Sequence, residues 1–77
     1  MKVKVLFFGV LADKAGCSFS DFENIIDLDE LMRNLKSKFQ FLENAAFAVA
    51  LNQVVVNGNA KLKDKDEIAL LPPFAGG

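Results

Sequence analysis

Asp27 to Phe39 reads DLDELMRNLKSKF, and its spacing decides the fold. Leu28, Leu31, Met32, Leu35 and Phe39 recur every three or four residues, while Arg33, Asn34, Lys36, Ser37 and Lys38 fill the positions between them. On an α-helix the first set makes one apolar stripe and the second a wet side. Asp27 suits the N-cap, with Glu30 three residues on as its capping-box partner, and Lys36 and Lys38 complement the negative end of the helix dipole. Such a stripe must be covered, and the segments on both sides of it are strand-like. The chain is therefore predicted to lay one main helix across a sheet.

Upstream, KVKVLFF at 2–8 alternates and is rich in Val and Phe, so it reads as a strand. Period two puts Val3, Val5 and Phe7 on one face and Lys2, Lys4, Leu6 and Phe8 on the other. The second face begins with two lysines and ends with two large apolar groups. Two readings stay open for it: coverage by another molecule, or burial under the chain's own loops. GVLADKAGCS, bounded by Gly9 and Gly16, is a connection with room for one helical turn, and SFSDFENI at 18–25 is a second strand whose alternation is imperfect. Downstream, FAVALN at 47–52 is a continuous apolar run, as expected of a strand with little solvent on either face. QVVV follows, Asn57-Gly58 signals a turn, NAKLKDKD is a charged connection around Leu62, and EIALLPP carries the last strand. The order β, β, α, β, β, β gives an α+β roll, in which the first and last strands suit a central parallel pair.

Composition narrows the function. Seventy-seven residues make one domain, and 52% hydrophobic against 25% charged residues is a globular profile. No apolar run approaches the roughly 20 residues of a spanning helix, and the N-terminus lacks a clear cleavage site, so no membrane and a cytoplasmic location are expected. Nine basic and ten acidic residues, mixed along the chain, leave no electrostatic footprint for nucleic acid. The single Cys17 allows neither an internal disulfide nor a metal site of its own; it reads as a compact half-buried hydrophobe or as a reactive thiol. No histidine is present to activate a serine near neutral pH. Chemistry, if any, points to the chain as a substrate or carrier and not as an enzyme by itself.

LLPPFAGG at 70–77 supplies the reagent. Pro72 and Pro73 lack amide donors and fix φ, so they end the strand and favour extended geometry. Six residues from Pro72 to Gly77 span at most roughly 20 Å, enough to enter another protein's active site. Gly76 and Gly77 pass where side chains do not fit, and a terminal carboxylate becomes electrophilic only after activation, for instance as a mixed anhydride with a nucleotide phosphate. The chain has no phosphate-cradling glycine loop, so that step belongs to an external ATP-using enzyme.

LFFG at 6–9, VALNQ at 49–53, LKDKDEIALLPP at 62–73 and the final Gly-Gly together resemble the small subunits of molybdopterin synthase, the MoaD-type sulfur carriers of the ubiquitin-like β-grasp superfamily. The resemblance implies a β-grasp roll over residues 1–71, with a mixed sheet of four to five strands packed on one main helix, and an extended tail over 72–77. It implies further that an E1-like adenylyltransferase, using ATP and Mg, activates Gly77, and that a sulfur donor converts the adenylate to a thiocarboxylate. Sulfur then passes to cyclic pyranopterin monophosphate inside the large synthase subunit. This chain itself would bind no cofactor and no metal. Gly76, Phe74, Pro73, Phe8 and Leu6 would make the partner contacts.

Two departures stand out. The family's Asp-Gly-Asp turn is Asp64-Lys65-Asp66 here, and an arginine common after the first strand is absent from GVLADK. A thiamine-thiazole sulfur carrier shares the fold and the chemistry, a ubiquitin-like modifier would deliver the activated glycine to lysines, and a binding-only module would leave it inert. Pro72-Pro73-Phe74 favours the pterin role.

Overall fold

A computed structural model describes residues 1–73 of the chain. Strand β1 (Lys2–Phe7) leads into a short helix α1 (Val10–Ala15), then β2 (Phe19–Glu23) and the main helix α2 (Leu28–Lys38). A 3₁₀ segment (Gln40–Asn44) connects to β3 (Ala48–Leu51), β4 (Val54–Val55) and β5 (Glu67–Leu71). The five strands form one mixed sheet in the order β2-β1-β5-β3-β4, with β1 and β5 parallel at its centre as expected and the other pairs antiparallel.

Alternation in β1 translates directly into burial: Val3, Val5 and Phe7 are buried, and Lys2 and Lys4 are exposed. Leu28, Leu31 and Leu35 of α2 bury their stripe against these residues and against Ile68 and Leu70 of β5. Phe7 and Phe39 meet edge-on, with centroids 5.0 Å apart. The N-cap forms as the spacing predicts, Asp27 Oδ1 accepting from Glu30 N at 2.9 Å. Glu30 reaches back one residue further than the standard box, its Oε1 accepting from Ile26 N at 2.8 Å. The bond from Glu30 N, then that from the Asn59 amide, hold the Asp27 carboxyl below its ordinary value against desolvation, with Arg33 and Lys61 adding a lesser pull. Two backbone bonds, Leu28 N to Ala60 O and Leu62 N to Ile26 O, tie the helix start to the charged connection, where Leu62 is buried.

Two expectations change. The second strand ends at Glu23 and not at Ile25, because Asn24 takes φ 60. That left-handed residue breaks the alternation: Phe19, Asp21 and Glu23 face solvent, while Ile25 turns into the core. The run at 47–52 is not shielded on both faces. Only Ala50 of β3 is buried, since its outer neighbour β4 is two residues long and both its valines are exposed. A two-residue hairpin at Asn52-Gln53, φ 48 and 74, joins β3 to β4 with the double left-handed signature of a tight turn.

Lys65 takes φ 69, in the position where the resembled family carries glycine. Its backbone N–H donates to Lys2 O at 2.7 Å, a bond that does not need the side chain. A left-handed non-glycine residue costs roughly 1–2 kcal/mol, part of which glycine returns as extra unfolded-state entropy. Lys65→Gly is expected to raise stability by about 0.5–1 kcal/mol. A thermal melt that shows no gain would mean the turn holds Lys65 without strain.

Candidate functional site

Parallel pairing of β1 with β5 brings the ends of both strands to the same rim of the sheet. Register then builds one face. Leu6 lies opposite Phe19 of β2 and Ala69 of β5, Ala69 opposite Ala50, Ala50 opposite Val55, and Leu71 opposite Ala48. Paired residues share a face, so these groups form an apolar band on the side away from α2. Phe19 is 50% exposed, Val55 59%, and Phe8, just past the end of β1, 44%. Leu6, Ala69 and Leu71 are half-buried. Among the described residues, no loop of the chain covers Phe8, Phe19 or Val55 on this face, whereas Ala50 is buried among its neighbours.

The other half of the same face is charged. Lys2 pairs with Glu23, and Lys4 with Asp21 and Glu67. Lys4 Nζ sits 5.0 Å from the Phe19 ring centroid, at the border of the two halves. The exposed Lys2–Asp21 contact at 3.7 Å contributes little in water. The apolar half is the one beside the end of β5, from which the C-terminal segment departs.

Of the residues singled out from sequence, Leu6 and Phe8 flank this rim, and Pro73 is exposed beyond β5. Phe74, Gly76 and Gly77 lie outside the described residues. Phe19, Ala69 and Leu71 join the face without having been singled out; their only signal is cross-strand register, which a single sequence does not carry. Cys17 is half-buried and packs against the core. Among the described residues, no cluster of His, Cys, Asp or Glu has the makings of a metal site, and no helix is long and apolar enough to cross a membrane. An open concavity of about 720 Å³ is lined by Met32, Arg33, Lys36, Glu43 and their neighbours, all on the helical layer.

Just before β5, Asp66 is a buried carboxylate whose partner no local pattern announces. Asn52 Nδ2 donates to Asp66 Oδ1 at 2.9 Å and Lys63 N to Asp66 Oδ2 at 2.7 Å, while Asn52 Oδ1 accepts from Glu67 N at 2.9 Å. This network joins the β3–β4 turn to β5. Burial pushes the Asp66 carboxyl up, but the bonds from Asn52 and Lys63 and the Lys63 charge outweigh it and hold the group below its ordinary value. Its stabilisation is thus complete above the unfolded carboxyl value of about 3.9 and lost as pH falls through the lower folded value. Asp66→Asn, which turns a donor toward a donor, is expected to cost about 1–3 kcal/mol at neutral pH. In urea melts the gap from wild type should close as pH falls through the lowered folded value, where Asp66 itself becomes protonated; a gap that persists in strong acid would refute the carboxylate's role.

The sequence profile of the ThiS family matches residues 5–77. The molybdopterin synthase sulfur carrier subunit of Escherichia coli strain K12 is 31% identical over 80 residues, covering 97% of this chain and 99% of that protein. A chain in the protein–protein complex of subunits 1 and 2 of molybdopterin-converting factor from Helicobacter pylori 26695 is 36% identical, with a TM-score of 0.77 and 100% of both chains covered. Small archaeal modifier protein 1 from Methanosarcina acetivorans has a TM-score of 0.86 at 23% identity, covering 99% of this chain and 96% of that one, a likeness of fold.

Proposed function

The chain belongs to the ThiS family, and from that premise we propose that it is a sulfur carrier in molybdenum cofactor biosynthesis, a subunit that lends its C-terminal glycine to a larger synthase subunit. The observation that carries this reading is the apolar band of Leu6, Phe8, Phe19 and Leu71, with Phe8 and Phe19 exposed among the described residues, at the rim where Pro72 follows β5. Such a band suits a protein partner that must also receive the end of the chain. End-to-end similarity to proteins named as sulfur carrier subunits supports the same assignment.

In this reading an E1-like adenylyltransferase binds Mg-ATP, and a carboxylate oxygen of Gly77 attacks the α-phosphorus, releasing pyrophosphate. Hydrosulfide from a sulfur donor then attacks the acyl carbon and expels AMP, leaving a thiocarboxylate. Gly76 threads the partner's channel, while Phe74, Pro73, Phe8 and Leu6 contact the partner. The large synthase subunit transfers the sulfur to cyclic pyranopterin monophosphate. This chain contributes the acyl group and the docking face, and the active sites belong to its partners.

The test is intact mass after incubation with an activating enzyme, Mg-ATP and a sulfide source. Gain of sulfur in exchange for one oxygen supports the carrier; an unchanged mass argues for an inert binding module. Adducts on cellular lysines would identify a modifier; the likeness to small archaeal modifier protein 1 is one of fold alone. The thiazole carrier has the same chemistry, so the discriminator is which large subunit co-purifies with the chain.

A further inference from the structure

We infer that the corner made by Gly9 is a seat for Pro72, and that Pro72 is thereby a positioning residue for the C-terminal segment, an inference that rests on the sulfur-carrier reading. Gly9 adopts φ 57, ψ −134, a backbone conformation that L side chains rarely enter. It forms the corner between β1 and α1: Leu11 N donates to Phe8 O and Ala12 N to Gly9 O, both at 3.1 Å. On the other side of this corner lies the proline ring. A Cβ on Gly9 would stand 3.1 Å from Pro72 Cγ, closer than most side-chain contacts, so the missing side chain is what admits the ring.

Delivery of Pro72 to this seat follows from the sheet. Phe8 N donates to Leu70 O at 3.3 Å, which carries the β1–β5 pairing beyond the last residue of β1 and up to the corner. Two residues later Pro72 has no N–H to continue the ladder, so packing and its fixed φ decide where it sits. The two prolines are unequal in this respect: Pro72 is half-buried and Pro73 is exposed. Seating the first proline restricts the direction in which the chain leaves the domain. A partner then has less freedom to remove when it takes the C-terminus, which is the advantage of a preorganised segment.

The experiment measures sulfur loading of Pro72→Ala by the activating enzyme, with carrier concentration varied and melting temperature recorded, beside Val54→Ala, an exposed residue that pairs with Leu51 and lies away from the apolar band. Pro72→Ala is expected to lower kcat/KM about tenfold, mainly through KM, and Val54→Ala no more than about threefold. Both should melt close to wild type. In the unaltered chain a nuclear Overhauser contact between Gly9 Hα and Pro72 Hγ is expected. Equal losses in the two variants, a loss at Pro72→Ala that falls on kcat with KM unchanged, or absence of that contact would overturn the seat. Failure of the wild-type chain to take up sulfur would overturn the carrier reading instead, and the Gly9–Pro72 contact would still test the seat.

Discussion

A chain shortened by Gly77 is expected to melt as the full chain does and to gain no sulfur. Its fold should survive because every buried hydrophobic residue among those described lies between Val3 and Leu70. Gly76 would then end the chain and would itself carry a carboxylate, so the chemistry is retained and only its place is lost. One residue fewer shortens the reach by about 3.3–3.6 Å. Misplacing a reacting group by as little as 1 Å can cost on the order of a hundredfold in rate, and a shift of more than three times that should abolish adenylation. Intact mass and a thermal melt on the same sample check both halves. Sulfur uptake at the wild-type rate by the shortened chain would remove Gly77 from the mechanism.

Phe8→Asp is expected to weaken binding to the proposed large subunit about a hundredfold while leaving the domain folded. Phe8 is 44% exposed, so the free protein loses only part of a buried surface. Its backbone bond to Leu70 O does not depend on the side chain. In the complex, by contrast, an aromatic anchor in an apolar contact is typically worth 2 kcal/mol or more, and the new carboxylate must also be desolvated beside Leu6 and Leu71. Val54→Asp is the control, since Val54 is 64% exposed but pairs with Leu51 and so lies on the opposite side of the sheet. Calorimetric titration against the large subunit, with a melt of each variant, separates the outcomes. Unchanged affinity would remove Phe8 from the interface, and a sharp drop in stability would place it in the core.

Much of the architecture was legible because local periodicity and burial coincide. Val3, Val5 and Phe7 alternate in β1 and are buried; Leu28, Leu31 and Leu35 follow the helical repeat and are buried; Asp27 caps the helix it precedes. Where a left-handed residue interrupts the pattern, legibility ends. Asn24 cuts β2 short and sends Ile25 inward, and Asn52-Gln53 makes a tight turn without the glycine that usually signals one. The Asn52–Asp66 network joins residues 14 apart, which no local pattern could anticipate. Gly9 is similar: its spacing suggests a loop boundary, and only the approach of Pro72 gives its missing side chain a purpose.

By itself the sequence determined that Val3, Val5, Phe7, Leu28, Leu31 and Leu35 are hidden, where the main helix starts and that no histidine is present. These are properties of near neighbours, governed by side-chain chemistry and by the repeat of helix or strand. Only the tertiary structure decided that Leu6, Phe19, Ala69 and Leu71 share one face of the sheet, and that Pro72 meets Gly9 at its rim. Those groups come together through strand register and a parallel crossover, and the free energy that selects a register is summed over the whole sheet and its packing on α2, not stored in any one segment.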